Sequence, residues 1–174
     1  MSALPQTAPD AALPCLGRCD LGTPEAMTAW AAGLAPILGP GDTLLLWGDL
    51  GAGKTHFARS VIQARLAALD MSEDVPSPSF TLVQIYHAGP LEIWHCDLYR
   101  LSGPDEVVEL GLDPAFESAL CLVEWPDRLA DLIPPGAAHL GFRMVPGQDN
   151  ARTVALHAAP CSALAARLRP FFAP

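Results

Sequence analysis

GDLGAGKTHF, residues 48–57, is the stretch that decides how this chain folds. Gly48 to Thr55 matches G-x-x-x-x-G-K-[ST] in full. In such a loop glycines let backbone N–H groups turn inward around a phosphate, the lysine reaches the β- and γ-phosphates, and the hydroxyl ligates Mg²⁺. The match is specific. With 14 glycines, one lysine and 15 serines plus threonines in 174 residues, roughly 0.0005 matches are expected by chance. Lys54 is that one lysine, and nine arginines take every other cationic position. Keeping a lysine here points to a need for a compact point charge on a flexible stem, not a planar fork.

The flanks fit a phosphate loop. Thr43 to Trp47, TLLLW, is a short apolar run bounded by turns, as expected of a strand buried on both faces of a parallel sheet. After the loop, FARSVIQARLAAL has apolar residues at helical spacing, and the helix adds the positive end of its dipole to the site. His56 stands in the first helical turn, where a small hydroxyl residue is more usual. It reads either as a donor to an α-phosphate or as a packing residue.

Composition narrows the classes. Hydrophobic residues are 51% and charged ones 17%, so a disordered polyelectrolyte is excluded and one well-packed core is expected. The net charge of −9 argues against a protein whose main task is gripping nucleic-acid backbones. No stretch approaches the ~20 apolar residues of a membrane span, and the N-terminus lacks the pattern of a secretory signal, so a cytoplasmic protein is expected. Five cysteines without a Cys-x-x-Cys pair do not suggest a disulfide framework. Cys15 with Cys19, and His157 with Cys161, have spacings a metal could use, but neither has a clear second ligand pair.

Elsewhere, residues 1–20 read as an N-terminal tail leading into a first short strand or turn, and 21–174 as a single domain. Thr23 caps an amphipathic helix with Met27, Trp30, Ala31 and Leu34 at helical spacing, ending at Gly39–Gly41. TLVQIYH (81–87) and LEIWHCDLY (91–99) read as a hairpin around Ala88-Gly89-Pro90. Two short helices follow in PDEVVELG and DPAFESAL, then an apolar strand, LCLVEW (120–125). A second hairpin across Pro146 to Asn150 and a closing helix from Ser162 complete the chain.

Hydrolysis of a nucleotide also needs acids to order Mg²⁺ and water. Strand alternation puts His95, Asp97 and Tyr99 on one face and Trp94, Cys96 and Leu98 on the other. The first row is either a site wall or a solvated face. Glu124 ends an apolar strand, where ligands gather at the carboxyl ends of parallel strands. It reads as an acid ordering Mg²⁺ or as an ion-pair partner of Arg128. Arg100 and Arg128 read as phosphate contacts or surface ion pairs.

Taken in order, GDLGAGKT (48–55), SPSFTLV (77–83), HCDLYRL (95–101) and VEWPDRL (123–129) resemble the TsaE family of bacterial ATPases, also known as YjeE, over roughly residues 23–130. The resemblance implies an α/β fold: a P-loop NTPase-like three-layer sandwich with a mixed, mostly parallel central sheet that includes an antiparallel hairpin. It implies ATP and Mg²⁺ as ligands and TsaD and TsaB as protein partners. Hydrolysis would support that complex in forming N6-threonylcarbamoyladenosine next to the anticodon of tRNAs reading codons that begin with A. The tRNA would be met only indirectly, through the partners.

By the same resemblance Lys54, Asp97 and Glu124 are catalytic. Asp49, Gly51, Ala52, Gly53, Lys54, Thr55 and His56 hold the nucleotide, with Thr28 near it, and Thr55 and Glu124 hold the metal. Ser77 to Leu82 resemble a nucleotide-sensing switch, and Trp125 packs close by. The sequence departs from the family's usual pattern at Ser79 for Thr, Cys96 for Phe and His56 for Thr. Two other readings compete: a small-molecule kinase, for which no arginine-bearing lid is visible, and a nucleotide-gated scaffold with negligible turnover.

Overall fold

The computed structural model describes residues 13–173. At its centre is β2 (Thr43–Trp47), buried along its whole length. It runs parallel between β5 (Leu120–Glu124) and β6 (Ala138–Val145), and β5 is in turn parallel to β4 (Leu91–Asp97). With β1 (Cys15–Leu21), β3 (Val83–Ala88) and β7 (Gln148–His157), the described residues form a seven-stranded mixed sheet, ordered β1-β7-β6-β2-β5-β4-β3. Its four central strands are parallel. Antiparallel ladders flank them: β3 on β4 at one side, β7 on β6 and β1 on β7 at the other.

Each face of the sheet carries its own core, which makes three layers. Leu44, Leu46, Ile93, Leu120, Leu122 and Leu140 pack against α1 (Pro24–Leu34), α2 (Lys54–Ala67) and α5 (Ala163–Leu168). Leu45, Trp47, Cys96, Cys121 and Val123 face the other way, against α3 (Pro104–Glu109) and α4 (Leu112–Ser118). The two-residue period of the strands sorts these side chains. Fully buried Phe57 lies 5.3 Å from the ring of Trp30 on α1 and 5.5 Å from that of Phe142 on β6, tying α2 to its neighbours. Truncating such a side chain to alanine costs about 3–5 kcal/mol.

Several boundaries differ from the sequence reading. Cys15–Leu21, which the expected tail 1–20 largely covered, form an edge strand paired with β7. A β-bulge between Cys15 and Gly17 breaks the strand's register, and Asp20 is held by the Thr153 hydroxyl at 2.7 Å, so no clean alternation advertises it. The remainder of that tail, residues 1–12, lies outside the described residues. α1 stops at Leu34 and passes into a single 3-10 turn at Ala35–Ile37. Ala88 pairs with Leu91, so the first hairpin turns on Gly89 and Pro90 alone, and Val145 pairs with Gln148, so the second turns on Pro146 and Gly147.

Under the phosphate loop, Trp47 Nε1 donates to His139 Nδ1 at 3.1 Å, and the two rings stack at 12°. Burial, with a smaller contribution from His157, pushes the His139 pKa down to about 4. The unfolded chain would bind that proton near 6.5. Between pH 6.5 and 4 the unfolded state therefore holds more protons, and stability falls as pH drops through that window by up to about 3 kcal/mol. Urea unfolding at pH 7 and pH 4.5 is expected to show a smaller acid-induced loss for His139→Gln than for wild type; equal losses would refute this account.

Candidate phosphate-binding site

The loop leaves β2 at Gly48 and enters α2 through Gly53, and both positions are closed to larger residues. Gly48 has φ +138°, and a Cβ there would lie 2.5 Å from the carbonyl oxygen of Phe142 on β6. Gly53, the N-cap of α2, has φ +103° and would press a Cβ to 3.2 Å from Met27 Cε on α1. The loop is thus wedged between β6 and α1. Asp49 O accepts from Ala52 N at 3.1 Å, closing a turn inside it.

Lys54 opens α2 and is 4% exposed. Its Nζ donates to the carbonyl oxygens of Gly48 and Asp49 and lies 4.3 Å from the centroid of the Trp125 ring. Burial lowers the Lys54 pKa, while the charges of Glu124, Asp97, Asp49 and Asp127 push it back up. Trp125 adopts φ +58°, a conformation costly for a bulky residue, and so turns its ring toward the ammonium at the end of β5.

Thr55, the next residue, donates from Oγ1 to Glu124 Oε2 at 2.8 Å. The other carboxylate oxygen, Oε1, is 2.9 Å from His95 Nε2, and His95 has no solvent exposure. Glu124 is therefore held from α2 and from β4 at once. Its alternative pairing with Arg128 does not form, since Arg128 lies 3.6 Å from Asp127 instead. His95 Nδ1 is buried without a hydrogen-bond partner.

Asp97 stands beside Glu124 because β4 and β5 pair in parallel with these two residues opposite each other. It is 4% exposed. Ser79 Oγ donates to Asp97 Oδ2 at 2.6 Å, Tyr99 N donates to Oδ1 at 3.1 Å, and the Asp97 N–H donates to Leu82 O at 2.9 Å. Ser77 and Ser79 share a hydrogen bond of 2.8 Å, so the 77–82 segment is moored to this acid. The alternation read from sequence holds through Asp97 on the core side of α2. β4 ends there, and Tyr99 turns away to lie 4.7 Å from the Trp125 ring.

His56 and Thr28 meet on the opposite flank. His56 Nε2 lies 2.9 Å from Thr28 Oγ1 and 3.1 Å from Pro24 O, joining the first turns of α2 and α1. Two clefts border the loop. One, of about 250 Å³, is lined by Leu50 to His56 together with Ser77, Ser79, Asp97, Glu124 and Trp125. The other, of about 200 Å³, is lined by Thr23, Pro24, Met27, Gly51, Gly53, His56, Asn150 and Arg152.

Residues 21–154 match the family model described as "Threonylcarbamoyl adenosine biosynthesis protein TsaE". The chain belongs to the TsaE family. A Rickettsia bellii relative named "tRNA threonylcarbamoyladenosine biosynthesis protein TsaE" is 36% identical over 125 residues, covering 72% of this chain and 85% of that one. Its Bacillus subtilis namesake is 40% identical over 112 residues, 64% of this chain and 67% of that one. The crystal structure of Bacillus subtilis YdiB aligns with a TM-score of 0.72 at 28% identity, covering 92% of this chain and 97% of that one. The family match spans all four motifs that line the cleft.

The sequence reading has Glu124 ending its strand, as found, but runs the strand that holds Asp97 on to Tyr99, two residues past its end, and does not pair His95 with Glu124. Its position in the alternating row was the available signal. Arg152, from the second hairpin, gave no signal at all. Among the described residues there is no group of three or more His, Cys, Asp or Glu placed to hold a metal ion.

Gly48→Ala is expected to destabilise the fold by roughly 2–3 kcal/mol through strain and the collision with Phe142 O, which lowers the melting temperature by about 5–10 °C. Calorimetric melting checks this, and an unchanged midpoint would mean that the loop has room to shift.

Proposed function

We propose that this chain is an Mg²⁺-dependent ATPase that supports a TsaD/TsaB complex in forming N6-threonylcarbamoyladenosine on tRNA. The observation that carries the reading is the hydrogen bond between Thr55 and Glu124 at the mouth of the glycine-rich loop, with Asp97 one strand away. The family match and the names of the relatives support the biosynthetic context.

The donor set fits a hard cation. Thr55 Oγ1 and Glu124 Oε2 offer oxygen only, 2.8 Å apart. Mg²⁺ is commonly held by one or two protein oxygens, with waters and substrate phosphates completing its shell. When bound, it supplies charge neutralisation on the phosphates. Thr55 and Glu124 would hold it, and His95 keeps the Glu124 carboxylate turned toward the loop.

Lys54 and backbone N–H groups of the loop bind the β- and γ-phosphates. In the free protein the Lys54 ammonium is held beneath Trp125 by the carbonyls of Gly48 and Asp49, bonds that a phosphate would exchange. Asp97 is an acceptor fixed by Ser79 and Tyr99, suited to orienting a water. Its tie to Ser77 and Ser79 gives the 77–82 segment a direct line to that acid. His56 and Thr28 stand on the flank where the nucleoside end would lie. With a net charge of −9, tRNA contact falls to the partners.

Phosphate release should be measured alone and with TsaB and TsaD. Lys54→Ala and Glu124→Ala are each expected to lower partner-dependent kcat by about 100- to 1000-fold, the range for losing one preorganised electrostatic contact. Turnover that survives loss of Lys54 would overturn the mechanism. Unchanged tRNA modification in Glu124→Ala would favour the nucleotide-gated scaffold.

A further inference from the structure

Arg152 sits on β7, one hundred residues beyond the loop in sequence, yet its guanidinium reaches the loop. Nε donates to Ala52 O at 3.1 Å and Nη2 donates to Gly51 O at 3.0 Å. Nη1 donates to Asp149 O at 2.7 Å and to Ala151 O at 2.8 Å, which anchors the fork to its own hairpin. Four backbone carbonyls, two on each side, are thus bridged by one planar cation.

The consequence follows from peptide geometry. In a trans peptide the C=O and the next N–H point in opposite directions. Holding Gly51 O and Ala52 O fixes the planes of the two peptide units that carry the Ala52 N–H, which donates to Asp49 O at 3.1 Å, and the Gly53 N–H, which is turned to the opposite side from the Ala52 carbonyl. Inward N–H groups are what a phosphate loop offers its ligand. A loop of this kind is rich in glycine and conformationally permissive, so unrestrained it would lose entropy on binding. A restraint already made in the free protein removes that cost from the binding step.

We propose that Arg152 is a positioning residue that preforms the phosphate loop by holding the carbonyls of Gly51 and Ala52. This rests on the reading that the loop binds a nucleotide. Arginine suits the task because its donors are set in a fixed plane that spans two successive carbonyls, which a lysine ammonium cannot do from one atom. It also gives the β6–β7 hairpin a role at the site.

The test uses full-length protein in Arg152→Ala and Arg152→Lys forms, with ADP titrated by calorimetry and amide hydrogen exchange followed in the free protein. Arg152→Ala is expected to weaken ADP binding by about 10- to 100-fold and to speed exchange in residues 49–54, leaving the central strands unchanged. Arg152→Lys keeps the charge and most of the stem, so it answers the question should the alanine form not fold, and an intermediate loss is expected. ADP affinity within twofold of wild type in the folded variants would overturn the proposal. So would weakened ADP binding with unchanged loop exchange, because the guanidinium would then be acting on the nucleotide itself. Wild-type protein that fails to bind ADP would instead overturn the nucleotide reading beneath it.

Discussion

The hydrogen bond from Thr55 Oγ1 to Glu124 Oε2, 2.8 Å long, joins the first turn of α2 to the last residue of β5. It forms only because β2 and β5 pair in parallel with Leu46 opposite Glu124, so that the loop leaving β2 passes beside the carboxylate. A shift of one residue in that ladder would turn Glu124 to the other face of the sheet. The same register, carried one strand further, sets Asp97 next to Glu124. Two acids from segments far apart in the chain are aligned by backbone pairing alone.

Around this line of acids the packing supplies what the loop lacks in itself. β6 presses on Gly48, α1 presses on Gly53, and Arg152 holds the carbonyls between them. Trp125 accepts backbone strain at φ +58° and in exchange covers the Lys54 ammonium. Leu82, at φ +64°, carries the carbonyl that receives the Asp97 N–H. Strained residues at both acids fit the pattern in which unfavourable backbone is tolerated where a site demands it.

The two acids are braced differently. Glu124 is gripped through its side chain by Thr55 and buried His95. Asp97 is held by Ser79, whose segment includes Phe80 at 81% exposure, and by a backbone N–H. The first arrangement is rigid on both sides. The second is tied to a segment open to solvent, which lets a change at residues 77–82 reach the acid directly.

Much of this was legible in the chain, for local reasons. The loop motif is eight consecutive residues, TLLLW could only be a doubly buried strand, and the two-residue period of β4 separated His95 and Asp97 from Cys96 without knowledge of any neighbour. These features depend on the backbone's own geometry and on burial, which neighbouring residues report. Strand order, register and cross-chain contacts depend on which distant segments meet. That is why the His95–Glu124 pair, the Thr28–His56 contact, the edge strand at Cys15–Leu21 and the grip of Arg152 appeared only in the tertiary structure. The amino-acid sequence determined that a phosphate-loop motif exists and that Glu124 ends a buried strand; the sheet alone decided that Asp97 ends the next one, that both acids face the loop and that the β6–β7 hairpin holds it.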